Sequence, residues 1–492
     1  MDEDERNYVE QILIHAQAQP ERVALERPGR SVTYGALPGE MDRLAGVLAA
    51  FGASQGDCLG VMVSDPVEDA LLRAAAALTG VLTCSLDPAL DAAARAERAA
   101  LYRMDGWLVE RAHALGLAGE RVLEDAAGAP AIDARSAARR AAGALLMTTS
   151  GTTGTPTALI ASHGAVLRGA RLLSETGLID PVGRFLNPAP VFSNAGVTLP
   201  QMVMLAGGTH VTPGAIASPG DLVSAIAGGG ITSLFVPSML VGAFVQMAAA
   251  QGREAPLFPE VRSMCAGGDV LDPAVMAAAA RLVTPGIRYT YASSDSGVLT
   301  LMEADELAGR EGSSGRPLEG VVIEVVDAED RPLPVGATGV IRARPPIYPE
   351  EVRGSKSFSG GVLKDGWVYP GDLGRLDDAG YLYVLGRTAD AIERDGAMLH
   401  PAQIELPLRG CPGVAELTVA AVPHAAGPVP VAFFVPEAKD GADADALARF
   451  AAAALPEGER PHAFVAVDAI PRNQGGKALR RELAARYAER VE

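Results

Sequence analysis

The chain has 492 residues, too many for one compact core, so at least two domains are expected. Its formal net charge of −18 argues against nucleic acid or an anionic membrane as a partner, since both select basic surfaces. Hydrophobic residues make up 48%, which suits globular cores, yet no apolar run reaches a membrane span: Arg73, Gly80 and Asp87 break the alanine-rich stretches.

Residues 12–18 and 37–51 have helical apolar spacing, and 58–63 reads as a short buried strand. A helix at 67–79 and a strand at 81–85 follow, and such alternation predicts a parallel sheet with helices on its faces. Residues 91–140, alanine-rich and poor in aromatics, are expected to be helices plus a loose connection. The four cysteines (Cys58, Cys84, Cys265, Cys411) lie far apart and read as buried thiols of a reducing compartment, with no zinc site. The opening MDEDER is the opposite of a signal peptide's basic end, so a cytoplasmic location is expected.

An apolar strand then runs into a loop of hydroxyl residues and glycine, LMTTSGTTGTP at 146–156. Gly151 and Gly154 let the backbone turn tightly and bring its N–H groups near an anion. Thr149, Ser150, Thr152 and Thr153 add hydroxyl donors that can aim at the same oxygens. Such a loop suits a phosphate tail, although the G-x-x-x-x-G-K-[ST] order is absent; a flexible linker is the alternative.

A second strand–helix series covers 166–300 and carries three polar segments. The first, PVFSNAG at 190–196, contains Phe192, Ser193 and Asn194. The second, AGGDVL at 266–271, is a Gly267–Gly268 turn followed by Asp269. In the third, YASSDSG at 291–297, Tyr291 offers a ring face and Ala292 and Ser293 permit close approach. Ser294 then adds a hydroxyl and Asp295 a carboxylate. That set suits a stacked base with a magnesium ion held by oxygen ligands, and a plain polar turn is an equal reading of the segment alone.

Residues 320–327 and 339–344 are rich in β-branched side chains and read as paired strands of a smaller β unit. In GWVYPGDLG at 366–374, Asp372 could accept two hydrogen bonds from a diol. A boundary falls near 386–390, followed by a run long enough for a small α+β domain. Within it, PRNQGGKALRR at 471–481 holds Lys477 after two glycines. The chain has only four lysines (Lys356, Lys364, Lys439, Lys477) and is otherwise arginine-rich, so a compact point charge here is notable.

From residue 20 to 481 these segments, in this order, resemble the adenylate-forming superfamily of acyl-CoA synthetases, stand-alone adenylation domains and luciferases. The hydroxyl loop resembles its T-S-G-T-T-G-x-P phosphate loop, though Thr155, Thr157 and Ala158 stand where two lysines and a glycine are usual. The other segments resemble its G-G-x-P-L, Y-G-x-T-E, G-W-x-x-T-G-D-x-G and terminal P-R-x-x-x-G-K-x-x-R motifs. The resemblance implies an α/β fold: a large N-terminal domain (1–386) of parallel-rich sheets flanked by helices plus a small β unit, and a small mobile α+β lid domain (387–492) hinged at 386–390.

It further implies that ATP is held by Thr149, Ser150, Gly151, Thr152, Thr153, Gly154, Gly268, Asp269, Tyr291, Ala292, Ser293, Asp372 and Arg387, with Asp372 on the ribose. Asp295 would hold Mg2+, and Lys477, with Ser294 and Asp295, would serve catalysis between a carboxylate and the α-phosphate. Phe192, Ser193, Asn194 and Gly267 would line the acid site, with Ser193 in place of the usual histidine. No aspartate stands at or beside Asn194, so an aryl or acyl acid is expected and not an α-amino acid. The acceptor of the acyl group stays open: coenzyme A by family frequency, a carrier-protein thiol, or an amine. Activation of nitrite for diazotisation of an aryl amine is another alternative, as is a non-catalytic nucleotide-binding relative. The oligomeric state is open.

Overall fold

Short apolar runs that cannot bury themselves alone find partners in sheets, and the parallel ones dominate. The computed structural model describes residues 6–134, 143–148, 157–293, 296–345, 347–354, 363–394, 397–425, 427–437, 441–472 and 478–487. A nine-stranded sheet has six parallel strands at its centre, in the spatial order Ile287–Tyr289, Ser263–Gly267, Ser233–Pro237, Arg184–Leu186, Thr209–Val211 and Val23–Arg27. Antiparallel strands close both sides: Thr300–Glu303 and Arg316–Pro317 at one, Arg30–Thr33 at the other. Helices such as Asn194–Ala206, Ser238–Ala250 and Pro273–Leu282 make the crossovers. Ser263–Gly267 is buried along its whole length, as a strand covered on both faces must be.

A second, four-stranded parallel sheet has the order Leu82–Ser85, Cys58–Met62, Gly106–Val109, Glu120–Val122. Here the reading of residues 91–140 needs correction. Helix Ala92–Tyr102 is present, but two further strands follow it and extend the sheet. Gly106–Val109 is four buried residues, too short for any period to show, and it is a strand because Cys58–Met62 and Glu120–Val122 pair with it on either side. Its Trp107 packs against Gly60 so closely that a Cβ at Gly60 would overlap the indole.

In the smaller β unit, Val322–Val326 pairs antiparallel with Gly339–Arg344, as the β-branched runs predict. The sheet continues through Trp367–Val368, Asp372–Leu376 and Leu382–Arg387. The C-terminal part packs helices Pro401–Leu408 and Ala444–Ala454 and the final helix Arg480–Tyr487 on the strands Val414–Val422, Val429–Pro436 and Ala463–Ala466. It has its own core, including Ile404, Leu408, Val419, Phe434 and Leu447. All four cysteines are buried free thiols. Among the described residues no helix is long and apolar enough to cross a membrane.

One buried ion pair fixes helix Pro66–Thr79 to the four-stranded sheet. Asp69 accepts from Arg73 Nε at 2.8 Å and from Ser85 Oγ at 3.0 Å, and Arg73 also reaches Thr83 Oγ1 at 3.3 Å. Removing one partner strands the other charge in the core. Asp69→Ala is therefore expected to cost about 3–5 kcal/mol in urea unfolding followed by tryptophan fluorescence. Arg331→Ala, in an exposed pair with Asp327, should change little. Similar midpoints for the two variants would show that the buried pair is not holding the helix.

Candidate active site

Parallel strands deliver their carboxyl ends to one edge of a sheet, where ligand-binding turns of α/β proteins lie. Ser263–Gly267 ends in the turn Gly267-Gly268-Asp269, and the neighbouring Ile287–Tyr289 ends in Thr290 and Tyr291. The turn is held from the start of helix Ser238–Ala250, which follows the neighbouring strand: Ser238 Oγ donates to Asp269 O at 2.8 Å and to Gly267 O at 3.3 Å. Gly268 has φ +88°, in the left-handed region, and a Cβ on Gly267 would lie 3.0 Å from Thr290 Cγ2. The Asp269 carboxylate accepts from Val270 N–H at 2.8 Å, so it stabilises its own turn.

The small β unit brings Asp372 and Arg387 to the same place. They are direct cross-strand partners, and Arg387 Nε lies 3.2 Å from Asp372 Oδ1. Tyr291 Oη donates to Asp372 Oδ2 at 2.5 Å, so both carboxylate oxygens are engaged by protein groups that fix the carboxylate's orientation. Arg387 also donates to Pro370 O at 2.5 Å. Asp372 is only 5% exposed, yet it lines a cleft of about 300 Å3 together with Gly268, Asp269, Tyr291, Ala292 and Arg387.

The opposite wall of that cleft comes from the C-terminal part, including Ala478, Leu479 and Arg480. Arg480 donates to Glu405 Oε1 at 2.8 Å and to Val419 O at 3.0 Å, and lies 3.6 Å from Asp390. Glu405 accepts as well from Val419 N–H at 2.8 Å and Thr418 Oγ1 at 3.0 Å. Burial pushes the Glu405 carboxyl up, but Arg480 and these hydrogen bonds outweigh it and hold the group below the usual carboxylate range. Sequence reasoning missed this cluster. Its only signal was one acid within the apolar run 404–408.

A second cavity, about 110 Å3 and mostly apolar, lies beside the first. Asn194 lines it, with Met147, Leu172, Met202, Val298 and Ile347. The short hairpin Ala292–Ser293 and Gly297–Val298 is shared: Ala292 faces the polar cleft and Gly297 the apolar cavity. Ser293 and Ser296 bond each other at 2.6 Å. Of the expected acid-site residues, only Asn194 is among those lining this cavity. Ser193 instead caps helix Asn194–Ala206, accepting from Gly196 N–H at 3.0 Å and donating to Pro190 O at 2.7 Å. Phe192 is half-buried outside it, and Gly267 belongs to the turn of the other cleft. Thr149, Ser150, Gly151, Thr152, Thr153, Gly154, Ser294, Asp295 and Lys477 lie outside the described residues. Among the described residues no group of three or more His, Cys, Asp or Glu side chains could hold a metal ion.

Comparison with known proteins bears on the family and the fold. A family model described as AMP-binding enzyme matches residues 13–348, and one described as AMP-binding enzyme C-terminal domain matches residues 403–477. The chain is 28% identical to the fatty acid–[acyl-carrier-protein] ligase ScoC of Streptomyces coeruleorubidus, over 97% of this chain and 96% of that one. It is 29% identical to a feruloyl-CoA synthase of Amycolatopsis sp, over 96% and 97% of the two chains. Its fold matches that of the amide bond synthetase McbA from Marinactinospora thermotolerans with a TM-score of 0.84, at 22% identity over 98% and 99% of the chains.

The Arg480–Glu405 pair yields a test with a pH signature. In the native protein the lowered carboxyl contributes stability above the ordinary carboxylate range, and loses it as pH falls through the lowered value. Arg480→Ala takes from the buried Glu405 its nearer cation and leaves Arg409, 3.8 Å away, as the more distant one, which should cost about 3 kcal/mol at neutral pH. Burial then raises the carboxyl, so the penalty should shrink as pH falls towards about 4, where protonation relieves it. A penalty that is flat between those pH values would remove the electrostatic account.

Proposed function

Because the chain belongs to the AMP-binding enzyme family, within the adenylate-forming superfamily, we propose that it couples ATP to the activation of an aryl or acyl carboxylic acid and passes the acyl group to a thiol. The observation that carries this reading is the meeting of Tyr291, Asp372 and Arg387 in one cleft with the residues that immediately follow Lys477. In this reading the Asp372 carboxylate accepts from the ribose hydroxyls, and the Tyr291 ring edges the space for adenine beside the Gly267–Asp269 turn. Arg387 is the cation near the sugar and phosphates. The acid's body enters the apolar cavity, with its carboxylate towards the 292–298 hairpin.

In the first step a carboxylate oxygen bonds the α-phosphorus of ATP. The bond to the α–β bridging oxygen breaks, and pyrophosphate leaves with that electron pair. Lys477 offsets the repulsion between carboxylate and phosphate as the two approach, an electrostatic contribution realised mainly in the transition state. Asp295 would hold Mg2+ as a hard oxygen ligand in this reading, and the ion would supply charge neutralisation to the phosphates. In the second step a thiol sulfur bonds the acyl carbon, AMP leaves, and the thiol proton is released. Coenzyme A and a carrier-protein thiol are the two candidate acceptors, supported by the names of the relatives above. Residues 1–386 form the ATP- and acid-binding domain in this reading. Residues 387–492 form a lid that turns about 386–390 between the steps and carries Lys477 away.

The protein incubated with ATP, magnesium and a panel of acids is expected to release AMP and pyrophosphate, with exchange of labelled pyrophosphate into ATP. ADP and phosphate as products would end the adenylate reading. Lys477→Ala is expected to slow adenylate formation by roughly two to three orders of magnitude. It should leave thiol transfer from synthetic acyl-AMP nearly intact, because the lysine acts only in the first lid position. Equal damage to both half-reactions would make the lysine structural.

A further inference from the structure

The apolar cavity is bounded in a way that the nucleotide cleft is not. Ile347 sits between two glycines, Gly169 on helix His163–Glu175 and Gly297 on the shared hairpin. A Cβ on Gly169 would overlap Ile347 Cδ1, and one on Gly297 would lie 3.7 Å from the same atom. The absence of a side chain at Gly169 is what lets the isoleucine reach into the cavity wall, while at Gly297 a Cβ would be in ordinary contact with it. Beyond it stand the buried side chains of Leu172 and Met202. None of the described residues lining the cavity carries a charge, and the polar side chains are Asn194, Thr198 and Ser296.

We propose that Ile347, seated between Gly169 and Gly297, sets the length of the acyl group this protein accepts, and that the acid is a compact, uncharged one. This rests on the reading of the apolar cavity as the acid site. The volume of about 110 Å3 is below the ~150 Å3 of an apolar cavity known to hold benzene, which scales to an acyl body of about four or five carbons. A second carboxylate or an ammonium on the acid would be buried without a counter-charge among these lining residues, so it is excluded by desolvation. Nothing comparable limits the adenine side, where the cleft is open and polar.

The test measures binding and turnover on the same protein. Binding of straight-chain monocarboxylates from propanoate to decanoate, and of glutarate, is followed by calorimetry; pyrophosphate release is followed with the same acids. In the native protein affinity should rise about fourfold per buried methylene, then stop rising at about four or five carbons beyond the carboxylate. Glutarate should bind at least about tenfold more weakly than pentanoate. Ile347→Val should move the break up by about one carbon and Ile347→Ala by about three, the number of side-chain carbons removed. A break that stays in place in both variants, glutarate binding as well as pentanoate, or no binding of any acid would each overturn the inference. If the break moves but no acid releases pyrophosphate, the size limit stands and the adenylate reading fails. If pyrophosphate is released and the break stays, the adenylate reading stands and the size limit fails.

Discussion

Parallel pairing forces each crossover to return to the same end of a sheet, and the placement of both cavities depends on that constraint. Six central strands obey it, so the segments after Ser233–Pro237, Ser263–Gly267 and Ile287–Tyr289 emerge side by side on one edge. Past the last ladder bond the backbone must find other partners, and Ser238 supplies one by donating to the carbonyls of Gly267 and Asp269. The turn is thereby tied to the start of helix Ser238–Ala250 rather than left as a free loop.

Polar groups from three parts of the chain meet above this edge. The main sheet gives Tyr291 and the small β unit gives Asp372 and Arg387, joined by a tyrosine–carboxylate hydrogen bond and an ion pair. The C-terminal part gives Arg480, whose charge is balanced by Glu405 and Asp390. Asp390 belongs to the short turn Thr388–Asp390 that directly follows the strand ending in Arg387. The proposed hinge therefore carries an ion-pair partner of the proposed lid, and any rotation there has to exchange the Arg480 contact for another. That coupling is a physical route by which occupation of the cleft could bias the lid.

The two cavities differ in chemistry because they are lined by different layers of the fold. The polar cleft lies between sheet edge and lid, where strand ends and turns expose backbone and charged groups. The apolar one is enclosed by faces of helices His163–Glu175 and Asn194–Ala206 and by strand Leu145–Thr148, all of which also bury hydrophobic side chains. The paired strands Ala292–Ser293 and Gly297–Val298 form a wall common to both. A reaction that joins an apolar acid to a nucleotide needs such a boundary, since each partner must keep its own solvation until the reacting atoms meet.

Local patterns in the sequence determined the alternating helices and strands, the paired β-branched runs at 320–327 and 339–344, and the polar segments at 266–271, 291–297 and 366–374, because periodicity, glycine turns and clustered donors are properties of neighbouring residues. The same patterns led to the family to which the chain belongs. Tertiary structure alone decided the rest. Gly106–Val109 is a strand through its partners on either side, and the Ser193 hydroxyl is spent on a helix cap that the sequence did not separate from an acid contact. Glu405 and Arg480 lie 75 positions apart, as do no residues that a motif can join. Ile347 meets Gly169 and Gly297 from distant segments. Contacts between distant segments leave no mark on local periodicity; they exist only once the sheets have packed, and they are what give this cleft its charge balance and its neighbouring cavity its size.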